Sequence, residues 1–241
     1  MSRIIFSLCG DSYPDDRPGE MALRAVLEGP DSIFVPHPEV FSAAADPNRP
    51  GGIEVKASLL EKAIQGCDPG QDIFLLGRSS GARVATLVAN RCTVTAIACV
   101  FYPFRGPQRQ LEPERFMHLR TVACPTLIVQ GAADRYGGHE ITENYGLSEA
   151  IRLRFVTGNH QTKIASPAGA DIVRYISGFI DGGWRETGKD LEGFDEAYYL
   201  KTHVDVAEAI TQGLYESGED HFRKTGRQEY RKYRLRIEKM D

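Results

Sequence analysis

The chain has 241 residues, of which 41% are hydrophobic and 26% are charged, and its formal net charge at pH 7 is −4. This composition is typical of one globular domain of ordinary size with some length left for an appendage. No run approaches the roughly 20 apolar residues of a membrane span, and the apolar run near the N-terminus is too short for a secretion signal. We therefore expect a cytoplasmic protein without a membrane span.

Short apolar runs alternate with amphipathic stretches over the first 180 residues. Near-continuous apolarity in short runs suits strands that are buried on both faces, so the alternation predicts a doubly wound, mostly parallel α/β sheet. The predicted strands cover residues 3–9, 32–36, 72–77, 94–102, 125–131 and 151–157. Apolar spacing of three and four predicts helices over residues 19–27, 55–64, 81–89 and 168–180.

The alternation of strands and helices ends at Gly182 and Gly183, and a second unit follows. The sequence predicts an α/β domain over residues 1–183, a polar linker over 184–193 and a helical module over 194–241. A unit of this size with so few apolar anchors is marginal alone, so we expect it to pack on the main body or on a partner.

The helical module carries its own helix signals. Asp195 is a favourable N-cap, and Tyr199 is placed to pack back on Phe194. Ser217 and Asp220 have the spacing of a capping box at the start of another helix. Apolar stripes are predicted at Leu200, Val204, Ala207, Ile210 and Leu214, and then at Tyr230, Tyr233 and Ile237.

The stretch from Gly77 to Gly81 reads G-R-S-S-G and fits G-x-S-x-G between a predicted strand and a predicted helix. A hydroxyl is a poor nucleophile unless a base takes its proton and a third group orients that base. Asp134 and His160 each follow a later predicted strand, and the carboxyl ends of such strands meet at one edge of the sheet. The order Ser79, Asp134, His160 therefore predicts a nucleophile, an acid and a base.

Three segments resemble the α/β-hydrolase superfamily, namely LLGRSSGARVA, CPTLIVQGAADRYG and VTGNHQ. The resemblance covers roughly residues 3–181 and is greatest to the small, lidless, dienelactone-hydrolase-like branch. It implies Ser79 as nucleophile, His160 as general base and then acid, and Asp134 as the group that orients the imidazole. It also implies that the chain starts where such folds have their third strand, which shortens the sheet to about six strands.

The expected oxyanion hole departs from this family pattern. Relatives often have His-Gly after the first strand present here, whereas this chain has Cys9, Gly10 and Asp11. A backbone N–H of Cys9 or Gly10, paired with that of Ser80, is the expected donor set, because side-chain identity does not decide backbone donation. Asp11 would place a carboxylate near the developing oxyanion, which would weaken catalysis.

Other chemistry finds less support in the sequence. The five cysteines are odd in number and form no C-x-x-C pair, so neither a zinc site nor a disulfide framework is predicted, and we expect no cofactor. His139, five residues after Asp134, is the rival base. The structural alternatives are that Ser79 is simply a small residue in a tight turn and that Asp134 caps a helix.

The module resembles a helical unit appended to bacterial glycosyltransferases and other surface-polysaccharide proteins. The likeness rests on an F-D-E-x-Y-Y-L start, an S-G-x-x-H-F stretch and a closing G-R. It implies a context, with self-association or protein docking as the simplest role. Eight Lys or Arg and two Glu between Arg223 and Lys239 give a local charge of +6. Without strong aromatic–basic interleaving, no nucleic-acid partner is predicted.

These observations predict a serine hydrolase that cleaves an ester in a small-molecule or saccharide substrate. The saccharide would carry an O-acyl group in surface-polysaccharide metabolism. The polar segment 104–121 leaves little room for a lid, which favours a hydrophilic or bulky substrate. One alternative is a non-catalytic scaffold that binds a partner in polysaccharide synthesis. Another is an acyltransferase or thioesterase with the same three residues.

Overall fold

The centre of the fold is a six-stranded parallel sheet with the order β2-β1-β3-β4-β5-β6. We describe residues 2–106, 108 and 110–236 from a computed structural model. The central strands β4 and β5 are buried along their whole length, as their apolar sequences require. The sheet confirms the predicted doubly wound fold and its six strands, which are β1 Arg3–Leu8, β2 Ser32–Val35, β3 Asp72–Arg78, β4 Ala96–Val100, β5 Thr126–Gly131 and β6 Ile151–Val156.

Helices cover both faces of this sheet and confirm the four helices predicted in its first 180 residues. Two cover one face and two cover the other, and each turns its apolar stripe toward the strands. The first pair is α3 (Ile53–Gln65) and α4 (Ser80–Ala89), and the second is α1 (Arg17–Leu27) and α6 (Ala170–Ile180). Short helices α2 (His37–Val40) and α5 (Ile141–Asn144) lie in the connections.

Among the residues described, four 3₁₀ helices complete the connections of the α/β part. They cover Pro113–Arg115, Met117–Arg120, Pro167–Gly169 and Gly183–Arg185. In the described part of the chain, no helix is both long enough and apolar enough to cross a bilayer.

The C-terminal helices are α7 (Glu196–Thr202), α8 (Val204–Thr211) and α9 (Gly218–His221), and α9 continues as a π-helix over Phe222–Gly226. The predicted caps are confirmed, because Asp195 accepts the N–H of Tyr198 and Ser217 accepts that of Asp220. The rings of Phe194 and Tyr199 lie 5.2 Å apart, as the predicted staple requires.

The predicted apolar stripe on these helices is confirmed only in part, since Leu200 and Ile210 pack against the core but Val204 and Leu214 do not. The chain leaves the helical conformation at His203, which separates α7 from α8 and reorients the second helix. As a result Val206 is buried, whereas Val204 and Leu214 are 64% and 66% exposed. Of the last predicted stripe, Tyr233 is buried and Tyr230 is exposed, and Ile237 lies outside the described residues.

The C-terminal segment packs on the same face of the sheet as α3 and α4. Its buried side chains belong to the apolar core of that face, and they include Leu191 from the predicted polar linker. The members of this set are Leu191, Phe194, Tyr199, Val206, Phe222, Tyr233 and Leu235. The segment therefore packs on the main body, one of the two outcomes expected for a module with so few apolar anchors.

Ion pairs hold the basic C-terminal residues in place. Asp190 is buried and binds the guanidinium groups of Arg223 and Arg227. Arg234 binds Glu143 of α5 at 2.6 Å. Much of the local positive charge is thus paired with acids of the same chain, which favours a structural role for these cations.

Candidate active site

Ser79 lies on a sharp turn between β3 and α4, with φ 51° and ψ −121°. A positive φ costs about 1–3 kcal/mol for a residue other than glycine and persists only where the surroundings impose it. Here the Ser79 N–H donates to the carbonyl of Val100 at 3.0 Å, and the Ser79 carbonyl accepts from Ala82 at 3.0 Å. The turn is therefore fixed by β4 on one side and by the first turn of α4 on the other.

The two glycines of the G-x-S-x-G stretch allow this turn to form. A Cβ atom at Gly77 would lie 2.5 Å from Cα of Ala82, and one at Gly81 would lie 1.9 Å from the carbonyl oxygen of Leu8. Both neighbours are backbone atoms that cannot rotate away. The close approaches explain in physical terms why glycine occupies both positions.

The structure brings the three predicted catalytic side chains together. Ser79 Oγ lies 2.9 Å from His160 Nε2, and His160 Nδ1 lies 2.8 Å from Asp134 Oδ2. Asp134 follows β5 and His160 follows β6, so the loops at the carboxyl edge of the sheet supply both partners. The Asp134 side chain is fully buried, whereas that of His160 is 14% exposed. The arrangement can move a proton from the hydroxyl to the imidazole while the carboxylate orients the ring.

Two groups beyond the predicted set hold the Asp134 carboxylate. Gln130 Nε2 donates to Asp134 Oδ2 at 3.2 Å, and the N–H of Tyr136 donates to Oδ1 at 2.8 Å. The Tyr136 ring also lies 4.4 Å from the ring of His160. Gln130 is fully buried at the end of β5, within the P-T-L-I-V-Q-G stretch. A polar residue inside so apolar a strand was the one sequence signal for this role.

Arg78, the variable residue before Ser79, ties the loops of the site together. Its guanidinium forms an ion pair with Asp16 at 2.6 Å and donates to the backbone carbonyl of His160 at 3.1 Å. The loop after β1 is thereby linked to the loop that carries the histidine. Since Asp16 and His160 are far from Arg78 in sequence, no local pattern indicated this contact.

The expected oxyanion donors need one correction. The N–H of Cys9 donates to His37 Nδ1 at 3.0 Å, so this group is already engaged inside the protein. Within residues 2–106, 108 and 110–236, the N–H groups of Gly10 and Ser80 have no backbone acceptor. A Cβ at Gly10 would lie 3.1 Å from Cβ of Ser79, so the Gly10 backbone adjoins the serine. Gly10 and Ser80 thus stay candidate donors, and Cys9 does not.

The carboxylate of Asp11, which we expected near the developing oxyanion, is paired with groups of the protein. Its Oδ1 accepts from Lys56 Nζ at 2.7 Å and from Ser80 Oγ at 2.8 Å. Burial alone would raise the pKa of Asp11, but the hydrogen bonds from Lys56 and Ser80 outweigh it and the pKa is lowered. Asp11 is therefore an ion-paired anion that also fixes the first residue of α4.

Ser79 and His160 open into a cavity of about 810 Å³. The walls expose polar and apolar surface in nearly equal amounts, and carboxylates from the loop after β1 and basic side chains from several elements supply the charges. The charged residues of the lining are Asp11, Asp15, Asp16, Arg78, Arg83, Arg115 and Lys163. Segment 104–121 contributes Arg115 to this wall but buries Phe104, Phe116 and Leu119, so it packs as part of the body.

His139, the rival base, does not line this cavity. Its Nε2 contacts the carbonyl of Leu235, and its ring packs against Phe155 at 4.8 Å. Its place is in the contact between the main body and the C-terminal segment. Among the described residues, no three His, Cys, Asp or Glu side chains are grouped as a metal ion would require.

His37 makes the stability of this region depend on pH. It is 1% exposed, and burial followed by the charge of Lys56 lowers its pKa to about 4 from an unfolded value of about 6.5. Between these values the unfolded chain binds more protons than the folded one, so the free energy of unfolding falls as pH drops from 6.5 to 4. We expect His37 to contribute up to about 3 kcal/mol to this loss.

Urea titrations at pH 7 and pH 4.5 test this expectation. His37→Asn places an amide oxygen near the position of Nδ1, where it can accept the Cys9 N–H without titrating. The variant should lose less stability than the wild type over this interval. Equal losses in the two proteins would contradict the assignment, and His118, which also has a pKa of about 4, is common to both.

A doubly wound parallel sheet with a serine on a strained strand-to-helix turn at its carboxyl edge defines a hydrolase-type α/β protein. A family model of the alpha/beta hydrolase domain matches residues 45–181, which is more than half of the chain. The chain belongs to the alpha/beta hydrolase domain family. No curated protein matches its sequence significantly.

Solved structures share this fold at low sequence identity. A serine hydrolase homologue from Coxiella burnetii has a TM-score of 0.56 and 16% identity, over 73% of this chain and 83% of that one. A hydrolase of the alpha/beta superfamily from Xanthomonas campestris has a TM-score of 0.53 and 15% identity, over 74% of this chain and 99% of that one. Est1E from Butyrivibrio proteoclasticus has a TM-score of 0.52 and 12% identity, over 74% of this chain and 87% of that one. At such identities the likeness is one of fold.

Proposed function

We propose that this protein is a serine ester hydrolase in which Ser79 is the nucleophile. The observation that carries the proposal is the continuous chain from Ser79 Oγ through His160 to the buried Asp134 carboxylate. A serine used only as a small turn residue has no need of an imidazole at hydrogen-bonding distance. The open cavity beside Ser79 supplies room for a substrate.

Acylation would begin with attack of Ser79 Oγ on the ester carbonyl carbon. A carbon–oxygen bond forms while the hydroxyl proton passes to His160 Nε2, and Asp134 stabilises the imidazolium. The negative charge on the former carbonyl oxygen would be met by the N–H groups of Gly10 and Ser80. As the tetrahedral intermediate collapses, the bond to the alcohol breaks and His160 returns the proton to that leaving group.

Deacylation would repeat these steps with water. His160 takes a proton from a water molecule, whose oxygen attacks the acyl carbon attached to Ser79. The ester bond to Ser79 then breaks, the serine recovers its proton from His160, and the carboxylic acid leaves. The same intermediate could pass its acyl group to a sugar hydroxyl, and a thioester could form it, so acyl transfer and thioester hydrolysis use the same residues.

We further propose an O-acylated saccharide as substrate. Polar and charged side chains border the cavity, which suits a hydroxyl-rich ligand better than a long acyl chain. The resemblance of residues 194–241 to a module of surface-polysaccharide proteins supports that context. In this proposal residues 1–183 carry the chemistry, and the C-terminal helices serve for self-association or for docking a protein partner.

A parallel activity screen tests the proposed reaction and substrate. Mono-O-acetylated sugars, acyl thioesters and p-nitrophenyl acetate are offered to the purified protein. We expect turnover of the acetylated sugars and a burst of p-nitrophenol close to the enzyme concentration, because p-nitrophenolate is a good leaving group and makes formation of the acyl-enzyme faster than its hydrolysis. Turnover of thioesters alone would overturn the saccharide proposal and leave the nucleophile in place.

One observation favours a competing function, a non-catalytic scaffold that binds a partner in polysaccharide synthesis. The engaged N–H of Cys9 removes one of the expected oxyanion donors. In such a scaffold Ser79→Ala would change neither partner binding nor phenotype. In a hydrolase the same substitution removes the phenotype while the protein stays folded.

A further inference from the structure

We propose that the cavity beside Ser79 contains an anion subsite, formed by the guanidinium groups of Arg83 and Arg115, that selects substrates carrying a carboxylate, sulfate or phosphate group. This inference rests on the proposed function, because it assigns a substrate class to the same cavity. The following observations concern the position of the two side chains, their partners and the remaining charges of the wall.

Arg83 lies one helical turn after the serine. Its N–H approaches the carbonyl of Ser79 at 3.4 Å in the first turn of α4. Ser79 immediately precedes α4 and Arg83 lies in the first turn of that helix, so their backbones are one turn apart. Both Ser79 and Arg83 line the cavity. A group bound by Arg83 would thus sit in the same substrate molecule as a carbonyl at Ser79.

The positive charge of Arg83 is not paired inside the described part of the protein. No carboxylate of residues 2–106, 108 or 110–236 forms an ion pair with it, and its buried Nε atom has no hydrogen-bond partner. Burial is the largest cause of a lowered pKa of Arg83, and the like charge of Arg115 lowers it further, whereas Tyr102, Glu114 and Glu112 act in the other direction. Arg83 is half-buried, and even partial desolvation of a cation without an ion-pair partner is costly. An oxyanion in the cavity would supply that partner.

Arg115 supplies a second guanidinium to the same cavity, from the 3₁₀ helix that ends at this residue. Its Nε donates to Glu112, and its Nη atoms have no partner among the described residues. Guanidinium groups bind carboxylates and phosphates through two parallel hydrogen bonds. Since Arg83 and Arg115 carry like charges, an anion between them would relieve their repulsion as well as fill their donors.

The other charges of the wall do not compete for this role. Arg78 is paired with Asp16, and Asp11 is paired with Lys56. Lys163 and Asp15 are exposed to solvent, where a single charge interacts weakly with a bound anion. The Arg83 end of the cavity is therefore where an anionic substituent finds a half-buried guanidinium with no ion-pair partner among the described residues, beside the remaining donors of Arg115.

A matched pair of esters tests the anion subsite. Mono-p-nitrophenyl glutarate carries a carboxylate, and its methyl ester is the neutral counterpart with the same scissile bond. We expect wild-type kcat/KM to be at least tenfold higher for the anionic ester, since charge-assisted hydrogen bonds are worth about 10- to 100-fold in binding. In Arg83→Gln this ratio should fall at least tenfold. Arg91 is an exposed arginine just beyond α4, and in Arg91→Gln the ratio should not change.

Arg83→Lys provides a second variant if the glutamine substitution does not fold. It keeps the charge but loses the two-pronged geometry, so it should retain only part of the preference. A wild-type ratio near one, or a ratio unaffected by both substitutions, would overturn the anion subsite. Turnover of both esters in that case would leave the proposed hydrolase intact.

Binding without turnover separates the two proposals. Glutarate, inorganic phosphate and sulfate are titrated calorimetrically into Ser79→Ala, with and without Arg83→Gln. We expect at least one of the three anions to bind and its dissociation constant to rise at least tenfold when Arg83 is replaced. Such binding, together with a wild-type protein that hydrolyses neither ester, would support the subsite and reject the hydrolase. Equal affinities, or no binding of any anion, would overturn the subsite whatever the activity.

Discussion

Replacing Ser79 with alanine is expected to lower ester turnover by about 10⁴-fold or more, because the variant keeps the cavity and the candidate oxyanion donors but lacks the proposed nucleophile. The residual rate would come from binding and from the polar groups around the carbonyl. The fold should survive, since within the described residues the Ser79 side chain has only His160 as its hydrogen-bond partner. Steady-state kinetics and a thermal melt of both proteins measure the two expectations.

Ser166→Ala is the matched control for this experiment. Ser166 also lines the cavity, but its hydroxyl donates to the carbonyl of Lys163 and not to a histidine. Its removal should change turnover by no more than a few-fold. Retention of full activity in Ser79→Ala would mean that another group performs the chemistry.

Replacing Gly81 with alanine should prevent stable folding. The new Cβ would lie 1.9 Å from the carbonyl oxygen of Leu8 and 2.8 Å from that of Cys9, both of which are backbone atoms. Relief requires α4 to move away from β1, which would break the core around the elbow. We expect a loss of at least about 4 kcal/mol in the free energy of unfolding.

Gly178→Ala is the matched control, for which we expect a gain in stability where Gly81→Ala brings a loss. Gly178 lies inside α6, and nothing lies within 4 Å of the Cβ that alanine would add. Alanine is favoured over glycine in a helix by about 0.8–1 kcal/mol, so this variant should be slightly more stable than the wild type. Urea unfolding of the two variants measures the contrast. A folded Gly81→Ala protein of wild-type stability would show that the elbow tolerates a side chain.

The sheet was predictable from sequence because its strands are buried on both faces. Apolar runs such as residues 125–131 have no polar alternation that an exposed strand would require. The meeting of Ser79, Asp134 and His160 followed from the same pattern, since parallel strands bring their carboxyl ends to one edge. The positions of the strands, and of the sheet edge where these three residues meet, could thus be predicted from local sequence patterns.

The supports of the site were not predictable in this way. Lys56 reaches Asp11, and His37 reaches the N–H of Cys9, across contacts that no sequence spacing specifies. Whether a backbone donor is free depends on the side chains folded against it. The availability of Cys9 for an oxyanion hole could therefore be judged only from the structure.

The C-terminal helices show a similar limit. The caps at Asp195 and Ser217 depend on neighbouring residues and were predicted correctly. The buried face of α8 depends on the direction in which the chain turns at His203. The prediction assumed one continuous helix through this residue and therefore missed the turn. Helix caps could be predicted because they depend on neighbouring residues. The buried face of α8 could not, because it is set by the α/β part on which the helix packs.

Covalent labelling with a fluorophosphonate probe, located by peptide mass spectrometry, tests the role of Ser79 most directly. The probe reacts only with a serine whose proton is taken by a base, so it reports the activated nucleophile independently of the natural substrate. Wild type should be labelled on the peptide that contains Ser79, and Ser79→Ala and His160→Ala should not be labelled. Folded wild-type protein that takes up no probe, or takes it up elsewhere, would contradict the assignment of Ser79 as a catalytic serine.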